Sequence, residues 1–282
     1  MKPLPIYVHI PKTGGTTYCT ALIRSFHGRR RFSVMGLRDK NEQKIERLFK
    51  LDEKQLNRIE IVFGHRTQCA DQAFKYRATK FYTTIRSPFE RIKSQYRQNL
   101  KFLANSGAPK ISLEQFIESF DKPLSHYFFD HSTVSEMIKI GYSPSDIAAA
   151  AKKRIEEKYA IVGLTEKMNQ SICLYNELLQ LDIYKINALN VSPAERVLEH
   201  DHQAEHLREY FNQKFSEDLI LYQEISERFE AQWSNWPDAE SRLEELLERK
   251  NRWNQNERRL EKWIPGYAQI RKADFEIRRY RY

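Results

Sequence analysis

The segment that most restricts what this chain can fold into is Leu4-Pro-Ile-Tyr-Val-His-Ile-Pro-Lys-Thr-Gly-Gly-Thr-Thr17. An apolar run opens it, a Gly-Gly pair turns the chain, and Cys19, Leu22, Ile23 and Phe26 then recur at helical spacing. A buried strand, a tight loop and an amphipathic helix in that order form the opening unit of an α/β protein. Adjacent glycines let the backbone approach a ligand with no Cβ in the way, so successive N–H groups can converge on one anion, and the helix start adds its positive end. Lys12 supplies a mobile cation, while Thr13, Thr16 and Thr17 supply hydroxyl donors around Gly14 and Gly15. The predicted guest is phosphate-like. The ATP-binding pattern G-x-x-x-x-G-K-[ST] is not met, because Lys12 precedes the glycines and no glycine stands six residues, or one residue, before it. An ordinary strand-to-helix turn uses the same residues, so a second anion-binding element has to decide.

Further strands and helices alternate along the chain. Phe32-Ser-Val34 reads as a short strand, and Ile45, Leu48 and Phe49 mark a helix. Glu60-Ile-Val-Phe-Gly64 has the continuous apolar character of a strand buried on both faces, and it delivers His65 and Arg66 at the end where open parallel sheets bind ligands. Lys80 to Arg86 is the next strand. Its helix opens on Ser87-Pro-Phe-Glu90, with Ser87 expected as N-cap and Glu90 closing a capping box. Ser112-Leu-Glu-Gln115 and Ser143-Pro144 open two more helices, and Tyr159-Ala-Ile-Val-Gly163 is a strand before a helix carrying Ile172, Leu174, Tyr175, Leu178 and Leu179. Gly28 is the expected end of the first helix. Within the less patterned residues 121–142, His126-Tyr-Phe-Phe-Asp-His131 fits a loop or short helix near the cleft.

The fold expected from this alternation is a three-layer α/β sandwich with a mainly parallel central sheet, spanning residues 1–236. Two helical stripes close that unit: Leu207, Tyr210, Phe211 and Phe215, then Leu219, Tyr222, Ile225 and Phe229. Residues 237–282 form a charged helical extension in which Leu246, Trp253 and Leu260 stand at sevenfold spacing. Such a narrow apolar seam packs on the body of the same domain, or on a second copy as a homodimer. The basic, aromatic tail from Ile270 to Tyr282 reads as an exposed end.

The chain's 47 basic and 38 acidic residues give a net charge of +9. The excess concentrates between Arg66 and Lys101, where basic residues stand at 66, 75, 77, 80, 86, 91, 93, 97 and 101 against only Asp71 and Glu90. That field suits an anionic cofactor or an acidic substrate. No run of 18 apolar residues exists and no leader pattern precedes the first strand. Cys19, Cys69 and Cys173 lack metal-ligand or redox-pair spacing, so reduced thiols in a cytoplasmic setting are expected, with a lumenal fragment of a membrane-anchored enzyme as the alternative. Cys19 faces the core side of its helix. No carboxylate pair or metal-ligand cluster competes for the chemistry, and no metal is expected.

Arg86 ends a strand, and Ser94 lies seven residues beyond the Ser87 cap, roughly two turns along the same helix face. A guanidinium fork and a hydroxyl can close there on a second anion. A nucleotide with anionic groups at both its 5′ and 3′ positions needs such a pair of anchors. At this point the chain resembles the sulfotransferases that use 3′-phosphoadenosine 5′-phosphosulfate (PAPS). Pro11-Lys-Thr-Gly-Gly-Thr-Thr17 looks like their 5′-phosphosulfate loop, and Arg86-Ser-Pro-Phe-Glu-Arg-Ile-Lys-Ser94 is similar to their 3′-phosphate motif. The nearest likeness is to the branch with the carbohydrate 2-O-sulfotransferases, through His9-Ile-Pro-Lys-Thr13 and Gly64-His65. Ile161-Val-Gly-Leu-Thr-Glu166 resembles a strand of that branch, and Leu189-Asn-Val-Ser192 a later segment closing over the nucleotide.

This resemblance implies a P-loop-like sulfotransferase fold and in-line transfer of a sulfuryl group to an acceptor hydroxyl, releasing the desulfated nucleotide PAP. Lys12, the loop amides, Thr16 and Thr17 would stabilise the leaving phosphate. His65 would take the acceptor's proton. Thr13, Gly14, Gly15, Arg86, Ser94, Asn190 and Ser192 would hold the nucleotide, with Arg66, His126 and Tyr127 as acceptor contacts. A glycan is the favoured acceptor, and no nucleic-acid partner is expected. Two other readings compete: a nucleotide-dependent kinase, which a magnesium requirement would reveal, and a polyanion-binding module without catalysis, which leaves the glycine loop unexplained.

Overall fold

Five strands, β1 (Leu4–Val8), β2 (Arg31–Val34), β3 (Ile61–Gly64), β4 (Thr79–Ile85) and β5 (Tyr159–Leu164), lie side by side in the order β2-β3-β1-β4-β5. Every pairing is parallel. The structure is a computed structural model and describes residues 2–26, 31–35, 38–186 and 206–263. Gly28, Asn190, Ser192 and the tail from Ile270 to Tyr282 lie outside the described residues. All five residues of β1 are buried, as befits the central strand of a sheet covered on both sides.

Side-chain alternation shows which helices cover which face. Tyr7 and Tyr82 are register partners on β1 and β4. They pack with Tyr18 of helix α1 (Gly15–Ser25) and Tyr175 of a late helix, Met168–Leu179, at ring separations of 4.7 to 5.9 Å. On the opposite face Phe81 of β4 meets Tyr159 of β5, and Phe128 and the Arg154 guanidinium complete that layer. The expected three-layer α/β sandwich is therefore what forms, with a sheet that is parallel throughout. Four fully buried tyrosines would leave costly orphan hydroxyls without partners. Tyr7 donates to Thr84 at 3.2 Å, Tyr18 meets Tyr82 at 3.4 Å, and Tyr175 donates to the Thr83 carbonyl at 2.6 Å.

Helices start where Ser87, Ser112 and Ser143 signal them, and the expected capping fails at one of the three. After α1 come α2 (Arg38–Phe49), α3 (Glu53–Asn57), α4 (Pro88–Ser106), α5 (Leu113–Ser119), α6 (His131–Lys139), α7 (Pro144–Lys158) and α8 (Met168–Leu179). Capping boxes form at Ser112 with Gln115 and at Ser143 with Asp146. At α4 the helix starts at Pro88 as expected, but the capping box does not form. Ser87 makes no side-chain cap; its N–H donates to Glu166 Oε1 at 2.9 Å, and Glu90 turns to Lys93 at 2.6 Å. A strong ion-pair partner three residues ahead and a carboxylate from a neighbouring strand end take over both halves of the box.

Next come α9 (Arg208–Lys214), α10 (Ser216–Ser234) and α11 (Ala239–Trp263). The buried stripe of α10 is Asp218, Leu221, Ile225, Phe229 and Trp233, so Leu221 takes the inward place expected of Leu219. Asp218 explains the shift: its carboxylate accepts the Leu124 and Ser125 N–H groups and faces Arg91 at 3.9 Å, which rotates the helix to bury it. Desolvation pushes the Asp218 pKa up, and the Arg91 charge opposes that push. Helix α11 packs along α8. Leu246 is buried, Arg249 pairs with Asp182 at 2.7 Å, and Trp253 stacks under the Arg24 guanidinium. Farther along the seam Leu260 and Trp263 are exposed.

Candidate active site

The crevice between the carboxyl ends of β1 and β4 is the point where the chain direction across the sheet reverses. From β1 the chain runs to β2 on one side, and from β4 to β5 on the other. Open parallel sheets bind ligands at such a switch point, because the two outgoing loops diverge and leave a cleft. The loops that leave here carry Lys12 to Thr17 and Arg86 to Ser94.

The first loop is shaped by two left-handed residues, Lys12 at φ 69° and Gly14 at φ 74°. Among the described non-glycine residues only Lys12, Arg66 and Gln180 have positive φ. Two of those three flank this crevice, and such strain persists where surrounding structure enforces it. Gly14 occupies the N-cap of α1 and makes no side-chain cap bond, and a helix start of this kind favours an anion. Thr16 and Thr17 are half-buried in that turn. The Thr13 hydroxyl, expected among the ligand donors, is instead buried and donates to the Ile10 carbonyl at 2.8 Å. It folds the loop back on itself.

Lys12 sits in an entirely cationic field. Burial pushes its pKa below the ordinary lysine value, and the positive charges of Arg86, Lys101 and Arg97 push it the same way. Arg86 comes from β4's end, and Arg97 and Lys101 from the α4 face that carries Ser94, one and two turns on. The two expected anchors thus act on each other. Arg86 approaches Glu90 at 3.6 Å, too long for a hydrogen bond, and Ser94 is half-buried. Like charges gathered in a cleft are unfavourable until an anion enters it.

His65 leaves β3 beside this loop. Gly64 is required immediately before it: its φ is 132°, and a Cβ there would stand 2.2 Å from the Val34 carbonyl oxygen. Because the obstacle is backbone, Gly64→Ala should destabilise the fold by about 2 kcal/mol, measured as a shift in the denaturation midpoint. The His65 N–H donates to Val34 O at 2.8 Å, and His65 Nδ1 lies 3.1 Å from the His9 carbonyl oxygen. A carbonyl only accepts, so Nδ1 carries the proton and Nε2 is the basic nitrogen of the neutral ring. The His9 and His65 rings stack at 4.1 Å. A Cβ on Gly15 would stand 1.9 Å from His9 Cδ2, so the second glycine makes room for this ring beneath the loop. His9 therefore packs between the glycine loop and His65.

Of the three expected acceptor contacts, Arg66 and Tyr127 are held by protein partners. Arg66 is ion-paired with Glu42 of α2. Tyr127 lies under the Arg91 guanidinium, and its carbonyl accepts from Gln68 at 3.0 Å. His126, in the same short turn packed on α7, has its pKa lowered by burial while Asp121 pulls the other way. Read from sequence, Thr165, Glu166, Arg97 and Lys101 carry no individual site role: Thr165 and Glu166 enter only through a strand resemblance, Arg97 and Lys101 only through the basic stretch. The last two stand at helical spacing from Ser94 and Lys93 on α4, a signal available from the sequence.

No protein-family model matches the chain, and no curated protein matches it in sequence. Among solved structures, a sulfotransferase from Alicyclobacillus acidocaldarius is similar at 14% identity and a TM-score of 0.42, over 78% of this chain and 94% of that one. Among the described residues no helix is long and apolar enough to cross a membrane, and no His, Cys, Asp and Glu side chains cluster as metal ligands.

Proposed function

We propose that the chain is a sulfotransferase that uses PAPS and an acceptor hydroxyl, with the acceptor a carbohydrate as the motif resemblance implies. The observation that carries this reading is the juxtaposition at one crevice of an uncapped glycine loop, a strand-end arginine and a histidine whose Nδ1–H is already committed to the His9 carbonyl. The nucleotide supplies the sulfuryl group when bound. Lys12 and the α1 amides would hold its 5′ end, and Arg86 with Ser94 its 3′ phosphate. The cationic field on Lys12 supports that fit, since a bound anion would offset it.

The chain's own work then divides cleanly. Lys12 stabilises negative charge that grows on the leaving phosphate, in a place where desolvation strengthens the interaction. His65 Nε2 accepts the proton of the acceptor hydroxyl, and the fixed Nδ1–H bond keeps the ring in the basic tautomer. Incubation with labelled PAPS and a panel of glycans, lipids and small alcohols should give label transfer to a hydroxyl without added magnesium, together with PAP release. Transfer of phosphate from ATP, or a strict magnesium requirement, would overturn the reading. Arg86→Ala should weaken PAP binding roughly tenfold or more, the worth of a charged hydrogen bond, and calorimetry reads that change directly.

A further inference from the structure

The two anion anchors belong to different strand ends, yet a bisphosphorylated ligand gains from both only if their separation is fixed. The end of β5 touches both. The Thr165 N–H donates to the Ile85 carbonyl at 2.8 Å, one residue before Arg86. Its hydroxyl oxygen lies 2.8 Å from two carbonyls, that of Ile85 and that of Thr13 in the glycine loop. One hydroxyl proton is thus shared between the two anchors. The Thr165 methyl also underlies Gly14: a Cβ there would stand 3.6 Å from Thr165 Cγ2 and 2.6 Å from Met168 Cε.

Glu166 continues the contact on the second anchor, where its Oε1 accepts the Ser87 N–H at 2.9 Å. The carboxylate has support from behind. The Tyr222 phenol of α10 stands close enough to feel both groups: burial pushes its pKa up to about 12, the Glu166 charge pushes the same way and the Arg86 charge opposes it. Next door, Lys167 pairs with Glu230 of the same helix at 2.5 Å. A late helix, far in sequence from either motif, therefore backs the turn that presents Arg86.

We infer that Thr165 and Glu166 are positioning residues that hold the 5′ and 3′ anchors at a set spacing, so that a nucleotide with both phosphates gains affinity beyond the sum of its ends. The inference rests on the two-anchor reading above. Physically it is preorganisation: once one phosphate is bound, the second meets its site at an effective concentration that depends on how rigidly the anchors are joined. Loss of the joint leaves each anchor competent alone. It removes only the bonus for carrying both groups.

The test compares PAP, adenosine 5′-phosphate and adenosine 3′-phosphate by calorimetry on the full chain. Thr165→Val, which keeps shape and removes the hydroxyl, should lower PAP affinity about threefold to tenfold, the worth of about one hydrogen bond. Binding of each monophosphate should change by less than about twofold, and Thr165→Ser should restore PAP binding. Glu166→Ala should behave like Thr165→Val, and Glu166→Gln, which keeps an acceptor oxygen, should recover. Tyr222→Phe leaves both anchor loops untouched and should give a smaller loss confined to PAP, which keeps the idea testable if Thr165→Val fails to fold. A wild-type protein that binds PAP no better than the monophosphates sinks the two-anchor reading itself. A wild-type bonus that survives in Thr165→Val, Glu166→Ala and Tyr222→Phe overturns the positioning role alone, as does an equal loss for all three ligands accompanied by a lower melting temperature.

Discussion

Lys12→Met is expected to lower turnover by about 10²–10³-fold, the loss that follows removal of one preorganised donor from a developing anion. The same variant should be at least as stable as wild type in the absence of nucleotide. Methionine keeps the side chain's length and meets the same φ of 69°, so backbone strain cancels in the comparison. What changes is a buried cation among cations. Folding lowers the Lys12 pKa, through burial first and the Arg86, Lys101 and Arg97 charges after it. Below its folded-state pKa this group therefore opposes folding by a constant amount. As pH rises from that pKa toward the ordinary lysine value of 10.5, the folded state holds fewer protons than the unfolded one and the opposition fades. Nucleotide reverses the sign, since a bound phosphate favours the ammonium form. PAP affinity should fall as pH rises through this window in wild type and be flat there in Lys12→Met. Thermal melts and calorimetry at a few alkaline pH values report both effects. A variant with wild-type turnover removes Lys12 from the chemistry.

His65→Asn should abolish the base while sparing the nucleotide site. The asparagine amide can still donate to the His9 carbonyl, as Nδ1–H does at 3.1 Å, so the strand end keeps its bond. It has no basic nitrogen. Turnover should drop by about 10²–10⁴-fold, the usual range for losing a general base, with PAP affinity within about twofold of wild type. The pH–rate profile gives the sharper check. In wild type the rate should rise as a histidine loses its proton, and in the variant that ascending limb should be gone. An unchanged limb would assign the base to another group.

Much of this arrangement was legible in the residues because local rules governed it. Buried parallel strands read as apolar runs, and Gly-Gly after such a run announces a backbone that must come close to something. Helix starts at Ser112 and Ser143 followed from capping chemistry. The Ser87 start was also right, but its partner was not, because Glu166 from another strand end and Lys93 outbid the local box. Likewise, Leu219 was expected inside, and a buried Asp218 serving two backbone N–H groups from a distant turn displaced it. In each case a tertiary hydrogen bond overrode a sound local pattern.

The site shows the same division. Lys12, the two glycines, His65, Arg86 and Ser94 were readable as types at fixed spacings. Thr165 and Glu166 stood out only as the end of a strand resemblance, since a Thr-Glu pair there shows no role until its partners are known. Nor could spacing reveal that Thr13 faces inward, or that His9 and His65 stack. Those facts depend on which strands become neighbours, and the strand order is not written in any single segment.

That strand order has a consequence for how the chain is made. The loop around Lys12 is made before β3 and β4, yet β1 is the innermost strand and must wait for both of them, more than fifty residues downstream, to flank it. Its second tie, to Thr165, arrives later still. Sheets built from such distant pairings fold slowly compared with helical bundles. A growing chain therefore carries its glycine loop unfinished until β3, β4 and the Thr165 turn have followed it, so the loop takes its final shape only after residues far downstream exist.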